Sequence, residues 1–238
     1  MTTLSFADIP AKAEKLLTPY LTQLLKIHND NIASILLYGS ATGTNFNPKK
    51  SDINLLIVFK QLSLSTLASS LKTIDSGIKK GIAAPLCLTL DHIQSSKDVF
   101  PVEFLEIKDN HRLLYGIDIF STISIEDRDL RHLCEREIKG KIIRIRQAYL
   151  EVGLKKKGIE ALIKESLKAL LPIFRSLLRL KDVKPPVEKQ AVIEAVASTF
   201  NLDSSVFLSI VTDIKNDERI DGRDIHTFLS VYLEQLDS

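Results

Sequence analysis

The sequence predicts an α/β fold in its first half, with a small mixed β-sheet and packed helices, followed by an all-α helical bundle. Two observations lead to this prediction. Short apolar runs bounded by turn residues recur up to about residue 123, which is typical of buried strands, whereas helical periodicity dominates from there onward. A chain of 238 residues is also long enough for one large core or two modest ones. We therefore predict two domains, 1–123 and 124–238.

The composition excludes several classes of protein. Hydrophobic residues make up 45% of the chain and charged residues 26%, which is typical of a folded globular protein rather than a disordered one. The net charge of +2 does not by itself indicate a nucleic-acid or membrane partner. No segment approaches the roughly 18–20 uninterrupted apolar residues that span a membrane, and the first residues do not resemble a secretory signal. Cys87 and Cys134 are too few and too far apart for a disulfide scaffold or a zinc site. We expect a water-soluble cytoplasmic protein.

Local patterns predict the elements of the first half in order. Apolar residues at helical spacing predict helices over 11–28 and 64–80, and Gly81 ends the second one. The second helix carries its apolar residues on one stripe, formed by Leu64, Leu67, Leu71, Ile74 and Ile78. Apolar or alternating runs predict strands over 32–38, 52–59, 85–90 and 101–107. Asp91 is a candidate cap for a short helix through residue 97, and 112–115 is a candidate edge strand.

The second half is predicted to be entirely helical. Apolar residues recur at helical spacing and are interrupted by glycine, proline and polar turns. This pattern predicts helices over 124–152, 159–180, 188–200, 204–215 and 223–236. The five histidines of the chain are scattered without the spacing of metal ligands, so we expect each to be a surface histidine or one whose nitrogens have partners.

The residues suited to chemistry lie between the first two predicted strands. Gly39 and Ser40 end one strand: a glycine there allows a sharp turn and close approach of a ligand to the main chain, and a serine hydroxyl with nearby N–H groups favours a phosphate. Asp52 and Asn54 open the next strand two residues apart, so their side chains leave the same face roughly 6–7 Å apart. Two oxygen donors placed in this way can hold one divalent cation, or two cations about 3.5–4 Å apart.

These residues resemble the signature of a known superfamily. Gly39-Ser40, followed by Ser51-Asp52-Ile53-Asn54 and an apolar run, is similar to the DNA-polymerase-β-like nucleotidyltransferases, in which a Gly-Ser at a strand end precedes an Asp-x-Asp strand. The resemblance implies a nucleotidyltransferase-like sheet domain and transfer of a nucleoside monophosphate that depends on Mg²⁺, or on Mn²⁺ in its place. The helical second half is similar in kind to the bundles of aminoglycoside-type nucleotidyltransferases.

The resemblance implies roles for individual residues. Gly39 and Ser40 would bind the phosphates of a nucleoside triphosphate, and Lys50 and Ser51 are further candidates for this role. Asp52 and Asn54 would hold metal and take part in catalysis, together with a third acidic residue from a later strand. Glu103 and Glu106 compete for that third place, because strand alternation sends them to opposite faces. We prefer Glu103, since a carboxylate in the middle of an apolar strand needs a metal or another partner.

Asn54 departs from the superfamily pattern, which has a second Asp at this position. An amide oxygen can bind Mg²⁺, but it carries no charge and cannot bridge two cations as a carboxylate does. We therefore expect weaker metal binding and keep two hypotheses. The first is an enzyme that transfers a nucleotide from a nucleoside triphosphate to an acceptor, which is a small molecule, a protein or an RNA, with one acid acting as base. The second is a nucleotide-binding or regulatory module of the same fold without turnover. The sequence leaves open whether the chain is a monomer or a homodimer.

Overall fold

The computed structural model describes residues 3–43, 52–216, 220 and 224–238. The chain divides into two compact units, Met1–Ile125 and Glu126–Ser238. The first unit is a mixed α/β unit and the second is helical. The elements of the first unit are α1 (Ala11–His28), β1 (Ile32–Tyr38), β2 (Asn54–Phe59), α2 (Leu64–Ile78), β3 (Leu86–Thr89), α3 (Leu90–Ser95), α4 (Pro101–Asp109) and β4 (His111–Gly116).

A four-stranded mixed sheet organises the first unit. Its strand order is β3-β2-β1-β4. β1 pairs antiparallel with β2 and with β4, whereas β2 and β3 are parallel neighbours joined through α2. Such a parallel connection requires a crossover, which the helix supplies. The register sets Tyr38 of β1 opposite Asn54 of β2 and opposite His111 of β4.

The sheet separates two apolar cores, and the alternation of β2 shows which residues face each core. Leu55, Ile57 and Phe59 pack with residues of α1. Leu56 and Val58 face the other way and pack with side chains of α3 and α4. Since Asn54 lies two residues before Leu56, its side chain leaves the sheet on the face that carries α3 and α4.

The prediction of a strand over 101–107 is wrong, because this segment forms α4. Pro101 occupies the first turn of the helix, where its missing N–H has no intrahelical partner to lose. Phe104 and Ile107 lie three residues apart and are both buried, as on one face of a helix. A short apolar run fits both periodicities, so the pattern alone does not distinguish a strand from a helix here.

The other predicted elements of the first unit are confirmed with small shifts of their ends. β2 begins at Asn54, so Asp52 precedes the strand, and β4 begins at His111. The cap of α3 is also corrected: Thr89 rather than Asp91 caps the helix, and its hydroxyl accepts a hydrogen bond from the His92 N–H at 3.1 Å.

The second unit is built from helices around one apolar core, as the periodicity predicts. Its described elements are α5 (Asp127–Val152), α6 (Lys156–Arg179), α7 (Lys189–Phe200), α8 (Ser205–Asn216) and α9 (Ile225–Asp237). α6 supplies the largest share of the buried side chains, because both of its long flanks are covered by neighbouring helices. None of the helices in the described part of the chain has the length and apolar character needed to cross a bilayer.

Candidate functional site

The turn after β1 has the backbone geometry that the sequence predicts for Gly39. Its φ is +77°, a left-handed conformation that side chains with a Cβ rarely adopt. The turn continues as a short 3-10 segment, Gly39–Thr42, which the Thr42 hydroxyl closes by donating to the Gly39 carbonyl at 2.8 Å. Ala41 is buried beneath the turn, whereas Ser40 is exposed. The buried Ala41 and the Thr42 hydrogen bond therefore hold the turn in place, and Ser40 is left exposed to solvent.

The start of β2 lies beside this turn. Asn54 is paired with Tyr38, the residue before Gly39, and the Asn54 amide nitrogen would lie 3.4 Å from a Cβ placed on Gly39. Asp52 is exposed and Asn54 is half-buried. Within the described residues, the side chains of Asp52 and Asn54 make no hydrogen bond or ion pair. A carboxylate and an amide without protein partners, beside a glycine turn, can bind a cation and the phosphates that accompany it.

Two further residues are predicted to contact the phosphates. Lys50 and Ser51 fall outside the residues that the structure describes. Their roles stay predictions.

Glu103 does not have the surroundings that favoured it as the third acid. It is exposed in the first turn of α4, so the alternation of a strand does not apply to it and its carboxylate is solvated without a metal. The preference for Glu103 over Glu106 therefore loses its basis, and the role of Glu103 as a metal ligand stays a prediction.

The neighbouring strands do not supply another acid. β3 carries Leu86 opposite Leu56, and β4 places His111 in the row of Tyr38 and Asn54. Neither strand contains an Asp or a Glu. Across the described ranges, no group of three or more His, Cys, Asp or Glu side chains is arranged to hold a metal ion. The described donor set thus consists of one carboxylate, Asp52, and one amide, Asn54.

The sequence did not identify two side chains that border the turn, Tyr38 and His111. Burial raises the pKa of the Tyr38 hydroxyl, so it remains a proton donor at neutral pH. The His111 ring is fully bonded, as expected for a histidine with satisfied nitrogens. Its Nδ1 lies 2.9 Å from the Ile107 carbonyl and 3.0 Å from that of Lys108, and its Nε2 lies 3.0 Å from Asp118 Oδ1.

The residue before β4 also supports the turn through its main chain. The Gly39 N–H donates to the carbonyl of Asn110, the residue before His111, at 3.2 Å. This contact joins residues 71 positions apart in the sequence, so no local pattern could reveal it. The position of Tyr38 immediately before the Gly-Ser pair is the single signal that could have identified it.

Comparison with solved structures identifies a protein of similar fold. The chain is similar to a spectinomycin adenyltransferase, AAD(9) from Enterococcus faecialis, solved with ATP and spectinomycin. The TM-score is 0.56 at 14% sequence identity, and the match covers 94% of this chain and 99% of that one. No protein-family model and no curated protein sequence matches the chain. The predicted nucleotidyltransferase fold, with its helical C-terminal part, is confirmed.

Proposed function

We propose that this chain binds a nucleoside triphosphate with one Mg²⁺ at the start of β2 and transfers the nucleoside monophosphate to a hydroxyl of a small molecule. The main support is the register of β1 and β2, since the pairing of Tyr38 with Asn54 sets the Gly39-Ser40 turn beside Asp52 and Asn54. The likeness to an adenyltransferase solved with ATP and spectinomycin supports the choice of a nucleotide and of a polyhydroxylated acceptor.

The phosphates would lie against the Gly39-Ser40 turn. Gly39 has no side chain to keep a ligand from the main chain, and Ser40 offers an exposed hydroxyl as a donor. Lys50 and Ser51 belong to the same proposal as further phosphate contacts. The Lys50 ammonium would add a positive charge that no described residue of the turn provides.

The donor set fits one Mg²⁺ better than two. Mg²⁺ keeps several waters and is commonly held by one or two carboxylates together with the phosphates of the substrate. Asp52 supplies one carboxylate and Asn54 one neutral oxygen, which meets this need for a single ion. A second ion would require a bridging carboxylate, and Asn54 cannot act as one. When bound, Mg²⁺ would neutralise charge on the triphosphate.

The proposed transfer is a substitution at the α-phosphorus of the nucleoside triphosphate. The acceptor oxygen forms a bond to the α-phosphorus, and the bond from that phosphorus to the oxygen leading to the β-phosphate breaks, so pyrophosphate leaves. The hydroxyl proton passes to a base, and Asp52 is the carboxylate that the described site offers for this role.

A second candidate function is nucleotide binding without transfer. It is favoured by the replacement of the second aspartate with Asn54 and by the lack of an acid on β3 and β4. Such a module would use the same turn and the same Mg²⁺ ligands, but it would release the triphosphate unchanged.

Incubation with α-phosphate-labelled ATP and Mg²⁺, with spectinomycin as the first acceptor of a panel of polyhydroxylated small molecules, tests the two candidates. Transfer predicts label in an acceptor and release of pyrophosphate, and Asp52→Ala should lower the rate by at least about 100-fold, equal to about 2.7 kcal/mol. The matched control is Asp98→Ala, which removes an exposed carboxylate elsewhere in the first unit and should leave the rate unchanged. Saturable ATP binding without label in any acceptor would support the second candidate. Absence of ATP binding would contradict both.

A further inference from the structure

Tyr38, the last residue of β1, lies in a row of side chains that crosses three strands. It is paired with Asn54 of β2 on one side and with His111 of β4 on the other. Residues directly opposite one another in an antiparallel pair send their side chains to the same face, with Cβ atoms about 4.5–5.5 Å apart. The Tyr38 phenol and the Asn54 amide therefore leave the sheet side by side, on the face that carries α3 and α4.

The packing of the Tyr38 ring agrees with this face. The ring is half-buried and packs against the apolar cluster that contains Leu36 and Leu56, which lie two residues from Tyr38 and from Asn54 along their strands. Every buried member of the cluster is an aliphatic residue or a phenylalanine. The cluster thus holds the ring in place, but its side chains offer the hydroxyl no hydrogen-bond partner.

The neighbour of Tyr38 on the β4 side does not supply a partner either. Both nitrogens of the His111 ring already face acceptors on α4 and Asp118. Among the described residues, the Tyr38 hydroxyl makes no hydrogen bond, and it is not enclosed, in contrast to the Tyr20 hydroxyl, which is buried without a partner. The Tyr38 hydroxyl is therefore available to a ligand that approaches Asn54.

The dimensions of the row suit a phosphate beside Asn54. Mg²⁺ binds its oxygen ligands at about 2.0–2.1 Å, so a phosphate oxygen on an ion held by Asn54 lies within a few ångströms of the amide. Side chains of a strand stand roughly perpendicular to the sheet. Because a phenol is longer than an amide, the Tyr38 hydroxyl stands further from the sheet than the Asn54 oxygen, on the side where the ion and its phosphates would lie.

We propose that the Tyr38 hydroxyl donates a hydrogen bond to a phosphate oxygen of the nucleoside triphosphate. This inference rests on the proposed function, because it requires the triphosphate at the start of β2. A tyrosine O–H is a donor and phosphate oxygens are strong acceptors, and a hydrogen bond to a charged acceptor is stronger than one between neutral groups. The Gly39-Ser40 turn would contact the phosphates at the end of β1, and Tyr38 would contact them from the face of α3 and α4.

The phosphates are a better partner for this hydroxyl than the nucleoside or the acceptor. Tyr38 immediately precedes the turn Gly39–Thr42, against which the phosphates are proposed to lie. Neither this turn nor the row that contains Tyr38 includes a lysine or an arginine. Neutral donors must therefore supply the contacts that these described residues make with the charged phosphates.

Calorimetric titration of the full chain with ATP and Mg²⁺ tests the contact. Tyr38→Phe removes the hydroxyl and keeps the ring, so the affinity should fall about tenfold. Tyr115→Phe is the matched control, because Tyr115 is a half-buried tyrosine of β4 that packs against the other apolar core, and this variant should bind like the wild type. Equal affinities of Tyr38→Phe and the wild type would overturn the inference alone. A wild-type chain that does not bind ATP would contradict the proposed function and this inference together.

Inorganic tripolyphosphate with Mg²⁺ locates the contact on the ligand. It should compete with ATP for the wild-type chain, and Tyr38→Phe should weaken its binding by the same factor as that of ATP. A loss confined to ATP would assign the hydroxyl to the nucleoside and overturn the inference, as would tripolyphosphate that does not compete.

Urea denaturation without ligand separates binding from stability. Tyr38→Phe should unfold at the same midpoint as the wild type, because the hydroxyl makes no hydrogen bond within the described chain. A lowered midpoint would show that the hydroxyl serves the fold and would overturn the inference.

Discussion

Asn54 and His111 lie in one row of the sheet, on either side of Tyr38, yet their surroundings are opposite. Asn54 and the nearby Asp52 make no side-chain hydrogen bond or ion pair within the described residues. His111 is enclosed, with two carbonyls at Nδ1 and the Asp118 carboxylate at Nε2. The comparison teaches that polar residues in one row of a sheet differ in what they can do: His111 already uses its hydrogen bonds within the protein, whereas Asp52 and Asn54 keep theirs for water or for the proposed ligand.

This difference assigns separate tasks to the two strands. β2 offers groups that can exchange water for a ligand, whereas Asn110, just before β4, supports the Gly39 turn through its carbonyl, and the His111 ring is bonded to α4 and Asp118. Substitutions on the β4 side should therefore act on stability, and substitutions on the β2 side should act on ligand binding. The first three predictions below test this division, and the fourth extends the comparison to a histidine whose ring nitrogen has no partner among the described residues.

The largest effect on stability is expected for His111→Ala. The variant would remove the imidazole from the Asp118 carboxylate and from the carbonyls of Ile107 and Lys108. Asp118 keeps the Ser121 N–H and Ile107 keeps the Asn110 N–H, so the free energy of unfolding should fall by about 1–3 kcal/mol. Urea denaturation measures the change. His92→Ala removes an exposed imidazole from the same unit and should change the free energy by less than about 0.5 kcal/mol. Similar values for the two variants would contradict the structural role of β4.

Gly39→Ala is expected to have an intermediate effect, which lowers both the stability of the chain and its affinity for ATP. Alanine at a φ of +77° is strained by about 1–2 kcal/mol, and relief of that strain would move the turn away from Asp52 and Asn54. Unfolding free energy should fall, and ATP should bind more weakly. Gly43→Ala is the control, because Gly43 has a φ of −96° and an added Cβ would meet its nearest neighbour at 3.8 Å. Equal behaviour of the two variants would show that the left-handed turn is unimportant.

Asn54→Asp should change ligand binding without a large change in stability. A second carboxylate beside Asp52 restores the charge that the nucleotidyltransferase pattern has, so Mg²⁺-dependent ATP affinity should rise about tenfold, equal to about 1.4 kcal/mol. Calorimetric titration of ATP with and without Mg²⁺ gives the value. Gln94→Glu adds the same charge to an exposed position of α3 and should have no effect. Unchanged affinity in Asn54→Asp would place the Mg²⁺ ligands elsewhere.

The smallest effect concerns His28, a buried histidine on the other face of the sheet. Unlike His111, its Nε2 has no partner among the described residues, and burial lowers its pKa below the ordinary 6.5. The unfolded chain then binds a proton more readily than the folded chain, so stability is complete above pH 6.5 and decreases as the pH falls below this value. Urea denaturation across this range should show a shallower pH dependence for His28→Gln than for the wild type. Identical pH profiles would contradict the burial of a neutral ring.

Much of the candidate site could be predicted from local sequence. A glycine at the end of an apolar run has few structural alternatives to a turn, and residues two apart at the start of a strand must share a face. Gly39, Asp52 and Asn54 were identified in this way. The helices of the second unit were also predictable, because long segments with strong periodicity leave little ambiguity.

The remaining features depend on contacts that the sequence does not encode locally. The 101–107 segment has an apolar pattern compatible with both periodicities, and its packing below the sheet decides for a helix. The role of His111 depends on a register between β1 and β4, which a one-residue shift would abolish. The periodicity of α2 revealed its stripe but not the side that it buries, because the small residues Ser70 and Gly77 form the contact with its own unit.

Thermal unfolding with ATP and Mg²⁺ tests the central claim most directly, namely that the Gly39 turn and the start of β2 bind a nucleoside triphosphate. At an ATP concentration 100 times the dissociation constant, the wild-type chain should gain about 2.7 kcal/mol of stability. Asp52→Ala should lose the part of this gain that requires Mg²⁺, while the gain of Asp98→Ala should match that of the wild type. Equal stabilisation of all three chains, or none in the wild type, would contradict the account.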